Sequence, residues 1–152
     1  MMFKYKLLSI FLYFTGLITF IIIAFILILS GFFFLPLFYK VVKPCCRLMM
    51  LSLLTWPKIK GSFPNKGTFI IMMNHSSFLD VFIFPLIPNG AWTGITASEN
   101  FKIPVFSSII NRIQAIPIKR NDRKAALNSI KKAEDVLLQN IHIGILPEGT
   151  RT

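Results

Sequence analysis

Residues 7–39 carry no charge, and Leu, Ile and Phe fill them without a period that would leave one face polar. Lys4 and Lys6 precede the run, and Lys40 and Lys43 follow it. A membrane span needs roughly 20 apolar residues, so the stretch is long enough with residues to spare. As one straight helix it would reach about 50 Å, past a hydrocarbon core of about 30 Å. Ser30-Gly31 and Pro36 offer places to bend. The pattern therefore predicts a membrane helix over residues 7–29, then a break. The apolar core exceeds the roughly 7–15 residues of a signal-peptide h-region, and no A-x-A-like site follows it, so a retained anchor is expected.

Over residues 40–56 the pattern changes. Lys40, Lys43 and Arg47 recur at i, i+3, i+7, while Val41, Cys45, Leu48 and Ser52 share another face. That periodicity suits a helix in the membrane interface, its cations toward headgroups and its apolar side toward acyl chains. Pro44 in the interior would kink or break it, so a hairpin or an interfacial shelf is expected in place of a second full span. Pro57, Gly61, Pro64 and Gly67 then mark a linker. The expected organisation is an anchor with interfacial helices over 1–57 and a second domain over 58–152.

That second domain alternates between two periods. Residues 68–73 (TFIIMM) form a short continuous apolar run, the pattern of a strand buried on both faces. Further strands are expected at 91–98 (AWTGITAS), 114–119 (QAIPIK) and 141–146 (IHIGIL). Residues 99–112 hold Pro104 and a short apolar helix pattern. Asn121 or Asp122 caps a better-marked helix in which Ala126, Ile130, Ala133 and Leu137 recur at i, i+4, i+7, i+11. Strands alternating with helices predict an α/β fold, a mostly parallel sheet flanked by helices, behind the membrane segments.

Composition sharpens this in two ways. The net charge is +11, and more cations follow the anchor than precede it, which favours a cytoplasmic position for the second domain. Cations beside an anchor also attract anionic lipids. Nucleic acid is not an expected partner, because the Phe residues sit in apolar runs and are not interleaved with Lys and Arg as a base-stacking platform requires. Cys45 and Cys46 are the only cysteines. With no CxxC and no His cluster, neither a disulfide framework nor a metal site is expected. Packing at the membrane boundary or S-acylation are the two readings for that pair.

The chemistry-bearing residues fall at strand ends. His75, Arg120 and Glu148 each follow a predicted strand, and open α/β sheets bind ligands beyond the carboxyl ends of their strands. In NHSSFLD (74–80), His75 and Asp80 are five apart, which in a continuous helix would leave them about 140° apart. They meet only if His75 lies in the turn before a helix and Asp80 lies within it, with Ser76 or Ser77 as the cap. Asp80 could then fix the imidazole tautomer and leave the other ring nitrogen free to take a proton. The same heptapeptide also fits a capped helix start with an incidental His. No G-x-S-x-G is present, so a base here should activate a hydroxyl on the substrate. In PEGTR (147–151), Gly149 permits close backbone approach, while Glu148, Thr150 and Arg151 supply an acceptor, a hydroxyl and a bidentate cation. Joined by Lys119 and Arg120 they would seat a phosphate; alone, PEGTR also fits a charged surface turn.

Taken together, NHSSFLD, AIPIKR and LPEGTR resemble, in order, three motif blocks of the glycerolipid acyltransferase family, which includes the 1-acylglycerol-3-phosphate acyltransferases. KIPVF (102–106) is similar to the family's segment between the first two blocks, and the resemblance covers residues 56–152. It implies that His75 is a general base and Asp80 its orienting partner, with no acyl-enzyme intermediate. It implies that Arg120 holds the acceptor's phosphate, and that Glu148, Gly149, Thr150 and Arg151 belong to the same site. The implied partners are membrane lipids, lysophosphatidic acid and acyl-CoA or acyl-carrier protein, with phosphatidic acid as product and no cofactor. Other acceptors, glycerol 3-phosphate or another lysophospholipid, and a non-catalytic lipid-binding module remain open. Family members continue past the third block with more sheet and a fourth block, whereas this sequence stops at Thr152. Either a fragment of a longer protein or a truncated product with impaired activity is therefore expected, with an incomplete acyl pocket.

Overall fold

The computed structural model describes residues 2–119 and 122–148. Helix α1 (Met2–Phe33) runs four residues past the expected break. Ser30 and Gly31 do not interrupt it, because the Ser30 hydroxyl donates back to the Leu27 carbonyl at 3.1 Å and is satisfied within the helix. The break falls at Phe34, whose backbone is extended (φ −156°, ψ 104°). Pro36 lies in the first turn of α2 (Leu35–Ser52), where its missing N–H forfeits no helical bond. Helix α2 also continues through Pro44. It doubles back along α1: Thr15 Oγ1 donates to the Ser52 carbonyl at 3.2 Å, and a Cβ on Gly16 would come within 2.8 Å of Leu53 Cδ2. The two helices thus form a hairpin. The buried face of α2 is Phe38, Val42, Cys45, Cys46, Met49 and Met50. Of the side expected to face acyl chains, Leu48 is exposed, Val41 and Ser52 are half-buried, and Cys45 is buried.

The sheet has four strands: β1 (Ile70–Met72), β2 (Trp92–Ala97), β3 (Ile116–Ile118) and β4 (His142–Ile145). Their order is β1-β4-β2-β3, and every pairing is parallel. Each strand lies inside its predicted span. One expectation fails: β1 is an edge strand whose Ile70 and Met72 are exposed, not a strand buried on both faces. Among the described residues it pairs only with β4, and no element covers the face those two side chains share.

Helix α5 (Arg123–Leu138) covers one face of the sheet. Asp122 caps it, accepting from the Ala125 N–H at 3.0 Å. Its inward stripe runs through Ser129, Ala133, Val136 and Leu137 toward Ile116 and Ile143. The Ser129 hydroxyl donates to the Pro117 carbonyl at 2.6 Å. Ile130, expected on that stripe, is exposed, because the polar Ser129 takes the position against β3. On the other face Phe84 lies against Gly144 of β4, and the helical hairpin packs over residues 80–86. There Ile23, Leu27, Phe38, Val42, Cys46 and Met50 pack with Phe82, Leu86 and Trp92 in one core. Two polar ties reinforce the contact. The Tyr39 hydroxyl donates to the Trp92 carbonyl at 2.8 Å, and Arg112, at the end of α4 (Phe106–Arg112), donates through Nε to the Gly31 carbonyl.

Candidate active site

The β1–β4 ladder extends to the Met73 N–H, which reaches the Ile145 carbonyl at 3.3 Å. The chain then turns, and His75 sits in that turn at the carboxyl edge of the sheet. Asp80 is the first residue of α3 (Asp80–Ile83), a single turn prolonged by a 3₁₀ turn over Phe84–Leu86. The spacing argument therefore holds: histidine before the helix, carboxylate inside it. His75 Nδ1 lies 2.9 Å from Asp80 Oδ2. The same oxygen accepts from the backbone N–H of Ser76 at 2.9 Å and of Ser77 at 3.0 Å. The expected serine cap is not made, since Leu79 is the N-cap residue and no side chain caps α3. The Ser77 hydroxyl instead accepts from the Leu79 N–H at 3.1 Å, tightening the turn ahead of the helix.

Asp80 is 5% exposed. Burial pushes its carboxyl up, but the Ser77 N–H, the His75 ring and the Ser76 N–H outweigh it and hold the group below the ordinary carboxylate value. An ionised carboxylate only accepts, so the proton between the two side chains belongs to Nδ1 and the lone pair to Nε2. The His75 side chain is 24% exposed, and among the described residues Nε2 makes no hydrogen bond. A ring oriented on one side and open on the other is the arrangement a general base needs.

Glu148 follows β4, the direct neighbour of β1, and its Oε2 accepts from the His75 N–H at 3.3 Å. Two of the three strand-end residues therefore converge. Lys119 is exposed at the end of β3, three strands from β1, or about 14 Å at roughly 4.8 Å per strand. Arg120, Gly149, Thr150 and Arg151 lie outside the described residues. Histidine 142 belongs to the opposite edge. Its Nδ1 accepts from the Phe69 N–H at 3.1 Å, and its Nε2 donates to the Asn89 carbonyl at 2.9 Å. With both nitrogens occupied and Phe69 stacked on its ring, His142 fastens the start of β4. Cys45 and Cys46 are buried in the hairpin. Burial raises both thiols, and burial together with the neighbouring Cys45 pushes Cys46 up to about 12, which favours packing over modification.

Sequence reasoning missed the two serine N–H donors on Asp80 and the Glu148 contact to the backbone of His75. The only available signal was the two small residues after His75, which allow a tight turn. Fold and site define an α/β protein with a histidine–carboxylate pair at the carboxyl edge of a parallel sheet. The family described as Acyltransferase matches residues 58–152, more than half of the sequence, and the chain belongs to that family. It is 35% identical over 96 residues to a 1-acyl-sn-glycerol-3-phosphate acyltransferase of Cocos nucifera, covering 62% of this chain and 31% of the relative. A protein of the same name from Helicobacter pylori is 32% identical over 91 residues, covering 60% and 38%. Another from Limnanthes douglasii is 33% identical over 97 residues, covering 62% and 34%. The chain thus spans about a third of the length of these relatives. No solved structure matches it.

Proposed function

We propose that this chain carries the catalytic core of a membrane-bound acyltransferase of phospholipid biosynthesis. It moves a fatty acyl group from a thioester, acyl-CoA or acyl-carrier protein, to the free hydroxyl of 1-acyl-sn-glycerol 3-phosphate, giving phosphatidic acid. The observation that carries this reading is the 2.9 Å pair of His75 Nδ1 and Asp80 Oδ2 with Nε2 left open. Nε2 takes the proton of the acceptor hydroxyl as its oxygen attacks the thioester carbonyl. Collapse of the tetrahedral adduct breaks the C–S bond, and the imidazolium returns the proton to the departing thiolate. Asp80 holds the ring and stabilises its cationic form. The relatives' printed names support lysophosphatidic acid as acceptor. Arg120 grips its phosphate, and Glu148, Gly149, Thr150 and Arg151 complete the seat, as the order of the three motif blocks supports.

The membrane seat rests on α1, in which Tyr5–Phe33 is long and apolar enough to cross a membrane. Its outward side is lined with exposed Phe, Leu and Ile. The cations that follow it favour a cytoplasmic position for the sheet. The test supplies membranes bearing this chain with labelled acyl-CoA and lysophosphatidic acid. Wild type should form phosphatidic acid, and His75→Ala should reduce the rate by roughly 10²–10⁴-fold. A second arm repeats the pair in a chain extended at the carboxyl end to the relatives' length. Equal product with and without His75 in that arm removes the base from the reaction.

A further inference from the structure

At the edge of the sheet opposite His75, a cleft of about 490 Å³ opens between α2 and the loop entering β2. That volume is within the roughly 300–1,000 Å³ of ordinary ligand sites. Its walls are apolar, formed by Leu35, Pro36, Tyr39 and Trp92, and its mouth carries Lys40 and Lys43. Lys43 Nζ donates to Asn89 Oδ1 at 3.1 Å, a neutral partner, and among the described residues no carboxylate pairs with either lysine. Burial and the neighbouring Arg47 both press the Lys43 ammonium toward its neutral form. An anion at the mouth would relieve that strain on its charge. On α2 the cations Lys40, Lys43 and Arg47 flank a stripe bearing exposed Leu37, Leu48 and Leu51. A helix so divided lies with its leucines among acyl chains and its cations at headgroup depth.

We propose that this cleft holds one anionic phospholipid of the surrounding bilayer, its acyl chain along Leu35, Pro36, Tyr39 and Trp92 and its phosphate between Lys40 and Lys43. The site is distinct from the reaction centre, which lies beyond the other end of the strands. A zwitterionic lipid offers the same phosphate but brings its own ammonium against two lysines, so selectivity for net negative headgroups follows. The inference rests on the membrane seat of the hairpin, and its test reads the seat and the cleft separately.

The chain has two tryptophans, one in the cleft and one, Trp56, exposed beyond the end of α2. In Trp56→Phe only Trp92 fluoresces; in Trp92→Phe only Trp56 does. Each is placed in phosphatidylcholine vesicles containing a minor fraction of brominated-chain phosphatidylglycerol or brominated-chain phosphatidylcholine. Trp92 should be half-quenched at on the order of tenfold less of the brominated anionic lipid, from two lysines near its headgroup. Lys40→Gln with Lys43→Gln should abolish that preference, and excess inorganic phosphate should leave the quenching intact. Trp56 should be quenched alike by both lipids and by both in the double variant. Equal quenching of Trp92 by the two lipids, a preference that survives the double variant, or displacement by phosphate overturns the cleft. A Trp56 that neither lipid quenches overturns the membrane seat itself.

Discussion

One oxygen atom carries much of the local order around the candidate base. Asp80 Oδ2 receives the His75 ring and two backbone N–H groups, so carboxylate, turn and imidazole are fixed together. Asp80→Asn should lower acyl transfer by on the order of 10²-fold, because an amide oxygen can keep the three contacts but no longer carries the charge that stabilises the imidazolium. The same change should reduce stability, with a definite pH dependence. The folded carboxyl titrates below its unfolded value of about 3.9, so its contribution is present above that value and lost as pH falls through the folded value. Unfolding measured in detergent should separate wild type from Asp80→Asn at neutral pH, and the gap should narrow as the pH falls below the unfolded value of about 3.9. A gap that persists in strong acid would show that the aspartate acts through shape and not through charge. The His75–Asp80 pairing was legible from spacing, because only a histidine ahead of the helix can meet a carboxylate five residues on. The N–H donors were not legible, since backbone groups leave no mark in a sequence.

Elements were legible in kind but less so in how they pack. Parallel strands, the Asp122 cap and the long apolar helix follow from periodicity and capping chemistry. The insertion of β4 between β1 and β2 does not, because strand order depends on which faces cover one another. Pro44 was expected to kink or break a helix that in fact continues through it, as six buried side chains on one face outweigh a single lost bond. Gly144 shows the same kind of hidden constraint. Phe84, in the turn after α3, lies over β4 so closely that a Cβ on Gly144 would be 2.4 Å from Phe84 Cζ. Gly144→Ala should therefore cost about 1–3 kcal/mol in denaturant unfolding, and Phe84→Leu should restore part of it. Purely additive losses in the double variant would show that the ring is not the obstacle.

Across the whole molecule, the division by sequence and the division by packing differ. The linker after residue 56 and the family match from residue 58 both mark where the α/β pattern begins. The larger apolar core nevertheless crosses that line, joining Ile23, Leu27, Phe38, Val42, Cys46 and Met50 to Phe82, Leu86 and Trp92. Without the hairpin, Ile116, Val136 and Ile143 would stay buried under α5, while Phe82, Leu86 and Trp92 on the other side would lose the side chains that cover them. Residues 58–152 expressed alone should therefore aggregate or bind a hydrophobic dye without a cooperative melt. The full chain in detergent should melt as one transition that includes the environment of Trp92, whose carbonyl and ring both touch Tyr39 of α2. A soluble, monomeric 58–152 with a cooperative melt would mean that the sheet holds itself together and the hairpin serves only as its membrane seat.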